Sequence, residues 1–273
     1  MNTSIRFFGA GNMATALLKG LITRGFQCEK IALSDPNAHQ LEFLSSQYQV
    51  KTTPKNTEFI TGFDVFILAV KPQIVMPLLD EIKQALPSEA LVISIAAGIT
   101  IKQITDKIGN HWPVVRCMPN TPAIVHAGAT ALYANEAVTE KQKKRAHTIM
   151  SAIGMNIWLT QEEQLNAVTA LSGSGPAYFF LIMEKMIETG IKMGLTPDIA
   201  KQLCLQTALG AAQLAITSEE SPAVLRKNVT SPNGTTEKAI QTLEKYDIGL
   251  IFEEALFAAQ QRAKDLSQEA SHL

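Results

Sequence analysis

Ile5-Arg-Phe-Phe-Gly9-Ala-Gly11-Asn-Met-Ala14 constrains this chain more than any other segment. It is an apolar strand that breaks into a Gly9-x-Gly11-x-x-Ala14 turn, followed by a helical run through Leu17, Leu18, Leu21 and Ile22. In a dinucleotide-binding βα unit the first Gly makes the tight turn, the second lets main chain approach a pyrophosphate, and the third small residue lets helix pack on strand. Alone, such a fingerprint is a weak signal. Its context strengthens it, because residues 31–34 read as a second strand ending in Asp35, about twenty residues past Ala14, where such sites carry a ribose-facing acid.

Strand and helix go on alternating. A helix is expected near 37–48, a buried strand at 64–70 ending at Lys71-Pro72, and a helix near 74–85. A strand at 90–95 then runs into Ala96-Ala97-Gly98, with a helix near 101–109 behind it. Residues 114–118, 129–133 and 156–159 read as further strands, and 141–153 as a helix. This order predicts an α/β fold, an N-terminal Rossmann-like, doubly wound and mainly parallel sheet with its nucleotide at the carboxyl ends of the strands. From about Gln164 the periodicity becomes helical, at 164–171, 176–194, 197–217, 221–228, 235–245 and 248–267. The expected domains are therefore 1–161, binding the dinucleotide, and 162–273, all-α. Tyr178, Phe179, Phe180, Ile182 and Met183 are too continuously apolar for a helix with one wet face, which points to a subunit interface; burial in a monomer core is the competing explanation.

Composition excludes several other classes. With 273 residues, 46% of them hydrophobic, the chain is long enough for two domains and a large core. A formal net charge of -1 argues against a nucleic-acid or membrane surface as partner. Cys28, Cys117 and Cys204 are scattered and odd in number, and the five His residues never reach ligand spacing, so neither a disulfide framework nor a metal site is expected. A first strand beginning by residue 5 leads to the expectation of no signal peptide, and no run of about 20 apolar residues stands out, so a cytoplasmic setting is expected.

A second motif, Asn228-Val-Thr-Ser-Pro-Asn-Gly-Thr-Thr-Glu-Lys-Ala239, reads as a polar turn entering a helix. Unpaired N–H groups and the positive end of the helix dipole make such a start a ready site for a carboxylate. An ordinary N-cap by Thr235 or Thr236 is the alternative.

These segments resemble the pyrroline-5-carboxylate reductase family, whose members make proline in the last step of its synthesis. The resemblance runs over essentially the whole chain: residues 8–13, Ala69-Val-Lys-Pro72, Ser94-Ile-Ala-Ala-Gly98, Arg116-Cys-Met-Pro-Asn-Thr-Pro122, Leu171-Ser-Gly-Ser-Gly-Pro-Ala-Tyr178 and residues 228–236. It implies NADP or NAD, in reduced form, as donor to the cyclic imine, with no metal, and a homodimer or higher homo-oligomer whose helical domains interlock. Implied substrate contacts are Asn228, Ser231, Gly234, Thr235 and Thr236, with Thr236 at the ring nitrogen, and Ser172 and Ser174 at the domain junction. Implied coenzyme contacts are Gly9, Ala10, Gly11, Asn12, Met13, Ser34, Asp35, Asn56, Ala69, Val70, Lys71, Pro72, Ala96, Ala97, Met118 and Asn120. Lys71 is a candidate proton donor, with an orienting role preferred.

Two positions depart from the family pattern. Asn233 stands where a second Gly is usual, and Asn tolerates positive φ better than other non-Gly residues. Asp35 stands where Ser, Thr or Asn is common; a carboxylate there favours NADH, whereas Lys55 or Arg24 would have to serve a 2′-phosphate, so both coenzymes stay open. Two other classes compete: another two-domain dehydrogenase, which needs a catalytic Lys and has only Lys185 and Lys192 on the long helix, and a non-catalytic nucleotide sensor, which would show a damaged substrate turn.

Overall fold

A computed structural model describes residues 3–87 and 89–269. Strands β1 (Ile5–Phe8), β2 (Ile31–Ser34), β3 (Lys51–Thr53), β4 (Val65–Leu68), β5 (Leu91–Ser94), β6 (Val114–Met118), β7 (Gly128–Ala134) and β8 (Gly154–Trp158) form one sheet in the order β3-β2-β1-β4-β5-β6-β7-β8. Strands β1, β2, β4 and β5 are buried at every residue, as expected where helices cover both faces of a parallel sheet. Their crossovers are α1 (Asn12–Thr23), α2 (Ala38–Tyr48), α3 (Pro72–Ile82) and α4 (Ile101–Ile108). The strand order reverses between β1 and β4, which are parallel and in register from Ile5 opposite Val65 to Phe8 opposite Leu68. In a doubly wound sheet that reversal opens the ligand crevice.

Two features depart from simple alternation. Strand β7 is antiparallel to β6, because only a short 3-10 turn, Thr121–Val125, joins them and a parallel crossover needs a dozen residues or more. Strand β3 was not expected at all; its three residues pair with β2 and bury only Thr53. After α5 (Glu140–Met150) and β8, helix α6 (Gln164–Val168) passes into a π-turn over Thr169–Gly173.

By compactness the chain forms two units, one running to Ser174 and taking back the residues from Ala258, the other Gly175–Phe257. The second holds α7 (Gly175–Lys192), α8 (Pro197–Thr217), α9 (Pro222–Asn228), α10 (Thr235–Lys245) and the start of α11 (Ile248–Glu269). Thr196, with Pro197 at the first helical position, caps α8 through the Ile199 N–H, and Ser221-Pro222 repeats the device at α9. Within this unit α8 buries only Ala200 and Cys204, while Phe179, Phe180, Met193 and Ile216 stand more than half exposed. The stretch Gln164–Lys192 is long and apolar enough, at mean hydropathy 1.2, to cross a membrane by composition alone.

At the amino edge of the sheet Asp64 ties β4 to β1: its Oδ2 accepts from the Ser4 N–H and hydroxyl, each at 2.9 Å, and Arg145 lies 3.6 Å from Oδ1. Burial raises its pKa, but the two Ser4 hydrogen bonds and the Arg145 charge outweigh this and hold it below the usual carboxylate range. A depressed folded-state pKa contributes stability that is present above the unfolded value, near 4, and is lost as pH falls through the folded one. Asp64→Asn is therefore expected to lower the denaturant midpoint at pH 7, with the gap from the parent closing as the pH is taken below about 4.

Candidate coenzyme and carboxylate sites

The turn after β1 is built by close approach. Gly9 adopts φ +98°, and a Cβ there would lie 2.4 Å from the Ala69 carbonyl oxygen at the end of β4. Its N–H donates to the Ser34 carbonyl at 2.8 Å, while the Ala69 N–H donates to that of Phe8 at 2.8 Å, so β1, β2 and β4 end at one place. Gly11 differs in kind. A Cβ on it would meet nothing within 4 Å, so its lack of a side chain keeps a space open without serving the packing. That space lies at the start of α1, whose N-cap is Gly11, with no side-chain cap and no acid in the first turn. The first N–H groups of the helix are therefore left for an anion.

Asp35 closes the other side of this space. Its Oδ2 accepts from the Ala10 N–H and its Oδ1 from the Asn37 N–H, both at 2.9 Å. Gln40 donates to the Ala10 carbonyl at 2.9 Å, so the peptide groups on both sides of Ala10 are held from β2 and α2. Ala10, Gly11, Asn12, Asp35, Asn37 and Gln40 line a cavity of about 220 Å³ that contains no Lys or Arg. Arg24 is the C-cap of α1, a whole helix away from the turn, and Lys55 lies 3.6 Å from Glu58. Beside Asp35, the buried Ser34 hydroxyl donates to Asn56 Oδ1 at 2.8 Å, and Asn56 Nδ2 donates to Glu81 at 2.8 Å. Met13 is half-buried against the core.

Further along the carboxyl edge, Ala69 and Val70 are half-buried, Lys71 is the exposed N-cap of α3 with Pro72 behind it, Ala96 is buried and Ala97 exposed. Asn120 is committed within the protein: Oδ1 accepts from the Ala129 N–H at 2.8 Å and Nδ2 donates to the Ser172 carbonyl at 3.0 Å. The Asn120 amide thus clamps the π-turn, where the changed ladder runs from the Ser174 N–H to the Thr169 carbonyl. The Ser172 hydroxyl donates to the Val168 carbonyl, and Gly173 leaves room for Met118, whose Cε would lie 2.5 Å from a Cβ. Cys117 is buried between apolar neighbours, which pushes its thiol up and leaves it un-ionised at neutral pH.

Arg6, Gln40, Glu81 and Glu162 were not singled out by sequence. Glu162 Oε1 caps α4 at the Ile101 N–H, 2.8 Å, and pairs with the Arg116 guanidinium at 2.9 Å, joining β6 to the α4 start. Only Arg6 carried a signal, as a charge inside an apolar strand.

The turn at 228–236 lies in the helical unit. Asn233 takes φ 61°, and Gly234 is the N-cap of α10 with no side-chain cap, so neither Thr235 nor Thr236 caps the helix. A Cβ on Gly234 would lie 2.5 Å from the Ser231 hydroxyl. Glu237 reaches back to the Asn233 N–H at 2.9 Å, and Asn228 donates to Glu220 at 2.9 Å. The opening amides of α10 are left without a side-chain partner from the cap.

A larger cavity, about 590 Å³, opens at the opposite edge, lined by residues that precede β4, β5 and β6, among them Asp64, Ala90, His111 and Pro113. The helix start nearby, α5, carries the Thr139–Gln142 capping box, which already engages the Thr139 and Gln142 amides.

Residues 162–266 match the family described as pyrroline-5-carboxylate reductase dimerisation, and residues 4–98 the one described as NADP oxidoreductase, coenzyme F420-dependent. A pyrroline-5-carboxylate reductase of Pseudomonas aeruginosa is 46% identical over 97% of this chain and 97% of its own length. Among solved structures, the pyrroline-5-carboxylate reductase of Coxiella burnetii superposes with a TM-score of 0.93 at 43% identity, covering 98% of this chain and 99% of that one. The Plasmodium falciparum pyrroline carboxylate reductase, solved with NADP bound, gives 0.87 at 30% identity over 97% of this chain and 98% of that one.

The two glycines are separable by experiment. Gly9→Ala forces a Cβ into the Ala69 carbonyl and is expected to lower stability by about 1–3 kcal/mol. Gly11→Ala is expected to leave the thermal midpoint unchanged and to raise the KM for coenzyme; a matching loss of stability at Gly11 would show that its space is needed for packing.

Proposed function

The chain belongs to the pyrroline-5-carboxylate reductase family, and from that premise we propose how its residues divide the reaction. The protein reduces 1-pyrroline-5-carboxylate to L-proline, the last step of proline biosynthesis, using a reduced nicotinamide coenzyme. When bound, the coenzyme supplies the hydride accepted by the imine carbon. A protonated cyclic imine is already electrophilic, so the protein's own task is to position and to screen.

One observation carries the coenzyme assignment: the open space above Gly11, at the strand-order reversal and at an uncapped helix start. Gly9, Ala10, Gly11, Asn12 and Met13 would hold the pyrophosphate through main chain, and Ser34, Asp35 and Asn56 the adenosine ribose. Residues 69–72, Ala96 and Ala97 would border the nicotinamide half, with Lys71 orienting hydroxyls or phosphates. Met118 and Asn120 support this edge, Asn120 by clamping the π-turn that carries Ser172 and Ser174. For the substrate, the opening amides of α10 at Thr235 and Thr236, together with Asn228, Ser231 and Gly234, would take the ring carboxylate. Thr236 is half-buried and free of any capping bond, which suits a hydroxyl directed at the ring nitrogen.

Of the two coenzymes the geometry favours NADH. A carboxylate with no Lys or Arg in the cavity it lines suits ribose hydroxyls and repels a 2′-phosphate. The exposed apolar faces of α7 and α8 fit self-association through the helical domain better than a membrane span, and the expected setting remains cytoplasmic.

Following reduced-coenzyme absorbance with pyrroline-5-carboxylate and each coenzyme in parallel tests the assignment; no oxidation with either would overturn it. Asp35→Ser, which lifts a like-charge penalty of roughly 1–2 kcal/mol, is expected to shift preference toward NADPH by about tenfold or more. An unchanged ratio would show that the Asp35 carboxylate serves only the Ala10 and Asn37 amides.

A hydrogen bond to a charged group is worth about 1.5–3 kcal/mol, so Thr236→Ala is expected to lower kcat/KM for the imine by about ten- to a hundredfold, with coenzyme KM unchanged. Weakened coenzyme binding with normal substrate kinetics would reduce Thr236 to a structural part of α10.

A further inference from the structure

Arg6 stands in the middle of β1, fully buried, between Ile5, Phe7 and Phe8, which are buried as well. Among the described residues it forms no ion pair. Its donors go to main-chain carbonyls instead: Nη1 to Phe7 at 3.1 Å, and Nη2 to Glu58 at 3.1 Å and to Lys55 at 3.4 Å. The Phe8 ring lies 5.1 Å from the guanidinium carbon, and Nε has no partner. Burial pulls the pKa of this side chain down to about 10, against the opposing charge of Glu58. An apolar side chain beside Phe8 and Phe66 would avoid that desolvation, and replacing buried charge by packed hydrocarbon is commonly neutral or stabilising. Stability alone therefore gives a poor account of an arginine here.

The two carbonyls that Nη2 grips flank Asn56. They lie in the irregular stretch between β3 and β4, whose far half is anchored by the buried Ile60. Its near half is fastened otherwise through side chains, among them Asn56, whose Nδ2 donates to Glu81 at 2.8 Å and turns the amide. Thr53 Oγ1 donates to the Glu58 carboxylate at 2.6 Å and accepts from the Lys55 N–H at 3.1 Å, and the Glu58 N–H reaches the Lys55 carbonyl only at 3.4 Å. From this near half Asn56 meets the Ser34 hydroxyl at 2.8 Å, next to Asp35. A planar, multidentate donor holding carbonyls on both sides of one residue fixes where that residue points.

We propose that Arg6 is a positioning residue for the coenzyme: from within the sheet it holds the main chain on both sides of Asn56, and so keeps Asn56 against Ser34 where the adenosine ribose is bound. The proposal rests on the placement of the ribose at Ser34, Asp35 and Asn56 given above. Arg6 itself touches neither coenzyme nor substrate.

The test is a mutant cycle on the full-length protein, read as separate KM values for coenzyme and imine. Arg6→Met keeps the length and removes the donors. It is expected to raise coenzyme KM by about tenfold, with kcat and the imine KM within about twofold, and Arg6→Lys is expected to recover part of the loss by serving one carbonyl. Asn56→Ala is expected to raise coenzyme KM as well, and the double variant Arg6→Met/Asn56→Ala to be no worse than Asn56→Ala alone, since both act through one contact. Should Arg6→Met not fold, Arg6→Lys is carried through the same cycle. Additive effects, or a lowered melting temperature with coenzyme KM unchanged, would overturn the role of Arg6 while leaving the ribose site standing. An Asn56→Ala variant with normal coenzyme KM would overturn the ribose placement, and the proposal with it.

Discussion

The close approach of main chain at Gly9 and Ala69 is the constraint from which the rest of the nucleotide unit follows. Strand β1 can hand its chain to α1 while lying beside β4 only because nothing projects from Gly9, where a Cβ would lie 2.4 Å from the Ala69 oxygen. That approach draws the carboxyl ends of β2, β1 and β4 into one rim and places the start of α1 above it. Gly20 extends the same logic to the back of α1, where a Cβ would lie 2.2 Å from the Ala152 oxygen and the helix packs directly on main chain. Against these, Gly11 stands out as a glycine the protein's own packing does not require. Absence of a side chain thus has two physical meanings in one turn, one concerning the fold and one the space left for something else.

Electrostatics at this rim is arranged from inside outward. The Asp35 carboxylate is engaged by two amides, so its charge is held at the mouth of the cavity instead of turning into solvent. Glu81 fixes the Asn56 amide so that its oxygen faces the Ser34 hydroxyl. The acceptors along this rim are the groups on which the proposed preference for ribose hydroxyls rests, since a hydroxyl can donate to them. Lys55, next to Asn56 in sequence, lies beside Glu58, and the buried Arg6 spends its donors on carbonyls.

Much of this was legible because two-sided burial writes itself into composition. Strands β1, β2, β4 and β6 are short apolar runs with Gly, Pro or a charged residue at one end or both, β5 is a plain apolar run, and α8 and α10 begin and end where the periodicity places them. Strand β3 escaped because three residues with one buried side chain carry no period. The reversed direction of β7 was invisible for a different reason, since alternation reports which face a residue occupies and not which way its strand runs. At the site, residue types announced the chemistry but not their partners. Asp35 reads as a ribose acid, yet its bond to Ala10 depends on the depth of the Gly9 turn; Asn120 reads as a strand-end polar residue, yet both ends of its amide are used by Ala129 and Ser172. Such pairings span from 9 to 52 positions and exist only once the sheet has closed.

The helical unit is governed by the opposite balance. Helices α7 and α8 approach closely at Gly190 and Ala200, and Cys204 points its thiol at the Met183 carbonyl, but many of their large apolar side chains stay exposed. At about 25 cal/mol per Å² of apolar surface, leaving Phe179, Phe180, Leu203, Leu209 and Ile216 to water forgoes burial that a helix pair of this size needs to offset its ordering entropy. The match of residues 162–266 to a family described by its dimerisation fits a second copy as the cover for this surface. Where a second copy provides that cover, folding and association of the unit are linked and its stability depends on protein concentration, whereas the nucleotide unit closes its own double-sided core.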